Sequence, residues 1–364
     1  MPESAKPMAD RPDPMTASRP SPRGSRRVQM ADIARLAGVS TSTVSRALNG
    51  SPLINEETRQ RVGELAKALN YTVNLGAKNL RLGENRTIGM VIPFDSRTRQ
   101  HISDPFFLGM LGSLADALTD RGYDMLVSRV DAEHLDGMAA LYDSGRAAGV
   151  MVIGQWGHHD QLNALAMRQV PLVVWGAQLP RQFYCSVGGD NISGGRLATQ
   201  HLLSRGRRRI AFMGDTQLPE VALRHQGYAE ALRAAGLEPD PALHIPAPFT
   251  AEQARAEMQA WLARGVPFDA VFATSDLIAM TAIGLLRGQG FSVPQGVSVV
   301  GYDDVEAASH GDPPLTTIKQ PIDQAGIAMV ECMLALLAGE PVESRVLPTS
   351  LVLRGSTAPV IAAA

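Results

Sequence analysis

From Thr87 onward the chain alternates short apolar runs with amphipathic stretches. The runs are "TIGMVIPF", "YDMLVSRV", "AGVMVIGQW" and "PLVVWG", then "RIAFMGD", "DAVFATSD" and "VSVVGYDD". No other feature restricts the fold as strongly. Near-continuous Val, Ile and Met over so few residues means strands buried on both faces, as in parallel sheets flanked by helices. There are too many runs for one compact unit, so the pattern predicts two doubly wound α/β lobes. A ligand in such lobes sits at the carboxyl ends of the strands, and the polar residues there become the candidates.

The length of 364 residues predicts two or three domains, and 45% hydrophobic residues fits a soluble globular protein. No apolar run approaches the ~20 residues of a membrane helix. Residues 1–27 are rich in Pro, Arg and Ser without an apolar core, which reads as a disordered tail and not as an export signal. Cys185 and Cys332 lie far apart and follow no metal spacing, so both are expected to be reduced, structural residues of a cytoplasmic protein. The net charge of −2 hides an asymmetry: residues 1–83 hold 13 basic and 7 acidic side chains, the remainder 21 and 29. A basic head on an acidic body implies a polyanionic partner, although charge alone does not choose it.

Residues 28–73 have a helical pattern with short turns. Ile33, Ala34 and Ala37 repeat at helix spacing, and Gly38-Val39-Ser40 then interrupts, with Ser40 a good N-cap. The next helix, about Thr41 to Leu48, turns Val44 and Leu48 inward. Asn55 caps a third helix with Val62, Leu65 and Leu69 as its apolar stripe. Three short helices with a glycine turn between the first two describe a helix-turn-helix. On the outer side of the second helix lie Thr41, Ser42, Ser45, Arg46 and Asn49. Its first turn is what reaches base edges in such motifs. Arg46 suits a bidentate contact to guanine or a phosphate clamp, and Ser40, Thr43 and Asn49 suit the DNA backbone. An ordinary solvated helix face is the plainer alternative.

"MADIARLAGVSTSTVSRALNG" and "INEETRQRVGELAKALNYTVN" resemble the DNA-binding head of the lactose-repressor (LacI) family. Further on, "DPFFLGMLGSLADALTDRGYDMLV", "VGGDNISGGRLATQHLLSRGRRRIAFMGD", "RHQGYAEALRAAGL", "SVVGYDD" and "PPLTTIKQP" resemble that family's landmarks in its order. The resemblance covers about residues 28–356. It implies a homodimer on pseudo-palindromic double-stranded operator DNA, with no cofactor, no catalytic or metal residues and no membrane. A hinge helix in residues 74–86 would follow the head, and a periplasmic-binding-protein-like core would fill 87–356. Within that core the first lobe is expected at about 87–186 plus 321–340, the second at about 187–317 plus 345–356, and a tail at 357–364.

By the same resemblance Thr41, Ser42 and Arg46 read bases, and Leu80 wedges into the minor groove. Two departures stand out. Gly76 replaces a common Ala, so the hinge helix should be less stable without DNA. The first helix lacks a Ser or Thr N-cap and should start less sharply.

For the effector, the resemblance implies a small sugar. Asp303 would bond its hydroxyls and Arg224 would clamp it. Asp95, Phe106, Gln155, Ser275 and Asp276 are further candidates at strand ends, and each could equally cap a helix or pair a charge. Where the family commonly has Asn-Asp, this chain has Ser275-Asp276, which puts the role of Ser275 in doubt. "GGDNISGG" lacks the spacing of a phosphate loop, so Asn191 is expected to start a helix. His158-His159-Asp160 lacks metal geometry, and Asp303-Asp304 points to opposite faces. The alternative reading, a solute-binding or sugar-processing protein using the core directly, has no use for the helix-turn-helix.

Overall fold

The structure is a computed structural model and describes residues 29–48, 50–69, 71, 85–94 and 100–360. The chain divides into two units, residues 1–82 and 83–364. The first unit holds α1 (Met30–Ala37), α2 (Thr41–Leu48) and α3 (Glu56–Ala68). Its core is small: Ile33, Val44 and Val62 are fully buried, with Ala34, Ala37, Ala47 and Ala66 around them. Gly38 ends α1 in the left-handed region at φ 66°, which folds α2 back at no cost from a Cβ. Contrary to expectation, α1 starts sharply. No Ser or Thr caps its first N–H groups; the Asp32 N–H goes to the Gln29 carbonyl at 2.9 Å and the Asp32 carboxylate accepts the Gln29 backbone N–H at 2.9 Å, which closes the first turn on itself. Asn55 caps α3 through the Thr58 N–H at 2.9 Å.

The second unit begins with β1 (Thr87–Phe94), α4 (Pro105–Thr119), β2 (Asp124–Asp131), α5 (Ala139–Asp143), β3 (Gly149–Ile153), α6 (His159–Met167), β4 (Leu172–Trp175) and β5 (Cys185–Gly189). It continues through α7 (Asn191–Ser204), β6 (Ile210–Met213), α8 (Pro219–Ala234), β7 (His244–Ile245), α9 (Ala251–Leu262), β8 (Ala270–Ala273), α10 (Asp276–Gly288) and β9 (Ser298–Asp303). Last come α11 (Glu306–Ser309), β10 (Thr316–Lys319), α12 (Ile322–Leu337), β11 (Arg345–Leu347) and β12 (Ser350–Val352). The strands form two six-stranded sheets, in the orders β11-β5-β4-β3-β1-β2 and β12-β10-β9-β8-β6-β7. The first is parallel throughout, whereas β12 runs antiparallel to β10 at the edge of the second. Each sheet is the centre of one lobe, with apolar clusters on both faces.

The predicted lobe boundaries shift in three places. β5 stays in the first sheet to Gly189, so the first crossing follows 189 and not 186. β11 pairs with β5, register Arg345↔Val187, which moves 345–347 from the second lobe to the first. The expected tail is packed as far as it is described: the Ala358 N–H donates to Ser298 and the Val360 N–H to the Arg205 carbonyl. Among the described residues no helix is long and apolar enough to cross a membrane.

Candidate functional site

On α2, Thr41, Ser42 and Arg46 are exposed on the side away from Val44 and Ala47. The Ser40 hydroxyl accepts the Thr43 N–H at 3.1 Å and lies 2.7 Å from the Ser42 hydroxyl, so it caps the helix and orders its first turn. Ser45 departs from the expected outer face. It is only 5% exposed, because a residue one position past Val44 falls on the flank that meets the other two helices. Asn49, Leu80 and Asp95 lie outside the described residues, as do residues 74–84 of the segment expected to form the hinge helix; Asn85 and Arg86, its last two, are described and are not helical. Residues 29–71 hold five basic and four acidic side chains, so most of the positive excess of the head sits in the segments on either side of them.

In the core, a cleft of about 610 Å³ opens between the lobes. From the first lobe it is lined by Gln100, Asp104, Phe106, Phe107 and the Ile153–Trp156 turn, with Trp175 behind. Phe106 and Trp175 are tilted against each other with ring centroids 6.5 Å apart. Trp156 is turned into the cleft by a left-handed backbone at φ 51°. Asp104 caps α4 through the Phe106 N–H at 3.0 Å and accepts Gln100 Nε2 at 3.2 Å. The Gln100 side-chain oxygen, Oε1, is buried and has no hydrogen-bond partner among the described residues. Such an atom is uncommon and costly unless something else satisfies it.

The second lobe contributes Leu218, Glu220, Arg224, Phe249, Ser275 and Asp303, and Gln320 comes from the second crossing. Asp303 ends β9 at φ 122°, a strained conformation for a residue with a side chain, worth about 1–3 kcal/mol. Gln320 Nε2 donates to its carboxylate at 2.7 Å. Burial pushes the Asp303 carboxyl well above its ordinary range, and the nearby Asp276 adds to this; Arg224 opposes both. Burial also raises Asp104 and Glu220. Asp304, just past the strand at φ 63°, pairs instead with Arg354 at 2.6 Å.

Arg224 is placed by helix packing. Gly195 on α7 meets the Arg224 carbonyl of α8 so closely that a Cβ there would collide with it, and the two helices touch backbone to backbone. That approach brings Arg224 Nε to Asn191 Oδ1 at 2.9 Å and Nη1 to the Thr274 carbonyl at 2.5 Å, with the guanidinium 3.7 Å over the Tyr302 ring. Asn191 is therefore the first residue of α7, capped by Asp190, and it steadies Arg224.

Two candidates have their side-chain polar atoms engaged within the protein. Asp276 is fully buried outside the cleft lining, where it accepts the Thr317 hydroxyl at 2.5 Å and the Val305 N–H at 2.9 Å. Gln155 does border the cleft, but its amide is fully used inside the first lobe. Nε2 donates to the Ala177 carbonyl and Tyr184 hydroxyl, and Oε1 accepts the Ala177 N–H. Ser275 borders the cleft and caps α10 through the Ile278 N–H at 3.2 Å. His159, part of the rejected metal motif, is held by Tyr184 and Asn163. Sequence reasoning missed Gln100, Asp104, Trp156, Trp175, Glu220, Phe249 and Gln320. Only Asp104 and Trp156 carried a signal, as the residues next to "PFF" and Gln155.

A head that exposes a groove-sized helix, on a chain whose core encloses a polar and aromatic cleft, defines a ligand-controlled DNA-binding regulator. Residues 29–74 match the bacterial regulatory proteins of the lacI family, and residues 199–357 match a periplasmic binding protein-like domain. The HTH-type transcriptional regulator CelR of Thermobifida fusca is 36% identical over 340 residues, 91% of this chain and 98% of its own length. The repressor CytR of Escherichia coli K12 is 31% identical over 335 residues, 90% and 96% of the two chains. Among solved structures, the CelR–cellobiose complex is similar at TM-score 0.67 and 34% identity, covering 91% of this chain and 100% of that one. The lac repressor dimer bound to operator and the anti-inducer ONPF is similar at TM-score 0.80 and 27% identity, over 92% and 100%. The chain belongs to the LacI family of bacterial transcriptional regulators. It is a regulator of transcription and not an enzyme, which sets aside the sugar-processing alternative.

Proposed function

We propose that this protein is a cytoplasmic, nucleoid-bound repressor of carbohydrate-utilisation genes, acting as a homodimer on a pseudo-palindromic operator and controlled by a neutral sugar in the cleft. The observation that carries the ligand class is the balance of cleft groups. Gln100 Oε1, Asp104, Glu220 and Asp303 are acceptors, while Arg224, the one arginine among the described lining residues, already uses Nε and Nη1 within the protein. Sugar hydroxyls donate to such acceptors, and Phe106, Trp156, Trp175 and Phe249 provide flat apolar faces for the ring. A sugar phosphate would instead meet carboxylates. Ligand contacts from both lobes favour closure, and a coupling of about 1–3 kcal/mol would change operator affinity some 5- to 150-fold. Relatives give the same direction: a CelR structure holds cellobiose, and a similar protein is the ribose operon repressor of Haemophilus influenzae.

Thermal shift with ribose, glucose, cellobiose, a nucleoside and glucose 6-phosphate tests the ligand class, since a ligand of the native state raises the midpoint. A neutral sugar should raise it and also change operator affinity. Stabilisation by the nucleoside or the phosphate alone would overturn this reading.

A further inference from the structure

Gln100 and Asp104 bring polar side chains of the first lobe to the cleft, and both stand in the segment before α4, outside any strand or helix. Side chains on such a segment keep one position only where its backbone is tied down. Among the described residues the Gln100 backbone makes one hydrogen bond: Arg129 Nη2 donates to its carbonyl at 2.8 Å. Arg129 stands on β2, the edge strand of the first sheet, and does not line the cleft. Its register partner on β1 is Ile92, and Phe94 lies two residues further along on the same face. The guanidinium sits over the Phe94 ring, 4.8 Å from its centroid, and this stacking fixes the plane from which it donates.

We propose that Arg129 is a positioning residue for ligand binding: held on Phe94, it sets the Gln100 carbonyl and through it the acceptors that the first lobe offers. The inference rests on the reading of the cleft as a sugar site. The bonds run in series. Holding the carbonyl fixes the peptide between Gln100 and His101, and with it the root of the Gln100 side chain. Gln100 Nε2 then donates to Asp104 at 3.2 Å, which leaves Oε1, without a partner among the described residues, as the amide atom free for a ligand. Asp104 in turn accepts the Phe106 N–H at 3.0 Å, and its own N–H donates to the His101 carbonyl at 3.1 Å, so the same turn seats the Phe106 ring. Gln100, Asp104 and Phe106 all line the cleft. One guanidinium at the rim of the lobe therefore supports three of its contacts, and a charged donor makes that bond stronger than a neutral amide would.

The test titrates ribose, glucose and cellobiose into the full-length protein by calorimetry, with the unfolding midpoint recorded for every variant. Arg129→Ala should weaken the sugar that binds by about fivefold, the loss of one hydrogen bond, with little change in the midpoint. Arg129→Lys keeps a donor for the carbonyl and should recover affinity toward that of the wild type. Double variants separate positioning from general support. The loss caused by Arg129→Ala should shrink in a Gln100→Leu background. It should persist in full beside Phe249→Ala, which removes a ring from the second lobe. An equal loss in both backgrounds, unchanged affinity in Arg129→Ala, or a lysine variant as weak as the alanine one would overturn the positioning role alone. A wild type that binds none of the three sugars would overturn the sugar reading and this role with it.

Discussion

The outer face of α2 and the wall of the cleft present the same kinds of side chain under opposite constraints. On α2, Thr41, Ser42 and Arg46 are exposed, and the residues that hold the helix down are a separate set, Val44 and Ala47. In the cleft, Arg224 and Asp303 are at once proposed ligand groups and buried structural groups, each already bonded within the protein. Exposure therefore separates reader from scaffold in the head. In the core, what separates them is how many of a side chain's polar atoms are already satisfied.

Asp276 gives the largest effect by which that distinction can be broken. Asp276→Ala strands the Thr317 hydroxyl and the Val305 N–H in the interior and should cost about 3 kcal/mol of stability. Denaturant unfolding measures it. A loss confined to ligand affinity, with stability unchanged, would return Asp276 to the ligand set. Arg46→Ala should act in the opposite way. Operator affinity should fall by about 1–3 kcal/mol in fluorescence anisotropy, with the unfolding midpoint and sugar binding unchanged. An equal loss on unrelated DNA would mark Arg46 as a phosphate contact and remove it from base reading.

The same contrast explains what the sequence disclosed. The helix-turn-helix was legible because one periodicity decides both packing and exposure there. It failed only at Ser45, on the boundary between the two. Of the twelve described strands, seven were legible as apolar runs; β5 and β10 inside the sheets and the short edge strands β7, β11 and β12 carry no such pattern. Strand ends located the cleft correctly without telling which side chains face it. Those directions come from local backbone, such as φ 51° at Trp156 and φ 122° at Asp303, and from crossings that deliver Gln320 from a distant segment. The internal partners of Gln155, Ala177 and Tyr184, were not legible because the tertiary fold fixes them.

A smaller effect separates two glutamines that both border the cleft. Gln100→Leu removes an oxygen without a partner among the described residues and one internal hydrogen bond, Nε2 to Asp104, so sugar affinity should fall by about 1 kcal/mol in calorimetry with a smaller loss of stability than Gln155→Leu. Gln155→Leu removes three internal hydrogen bonds and should lower stability first. If the two variants lose affinity and stability in the same proportion, partner satisfaction does not distinguish ligand groups from scaffold in this cleft.

The finest distinction is protonation. Burial raises the Asp276 carboxyl from 3.8 to about 7, so the folded core holds that proton while an unfolded chain releases it near 3.8. Between those values the native state binds more protons than the unfolded one, and unfolding free energy falls as pH rises. The core should therefore melt a few degrees higher near the acidic end of that window than above it. Asp276→Asn keeps one oxygen acceptor where Asp276 offers two, to Thr317 and Val305, and cannot titrate, so it should lower stability at every pH while reducing this slope. Asp104, Glu220 and Asp303, raised in the same direction, should supply the slope that remains. Because these three line the cleft and Asp276 does not, a bound sugar should alter the residual slope in Asp276→Asn. If the sugar leaves that slope unchanged, the cleft carboxylates do not take part in binding.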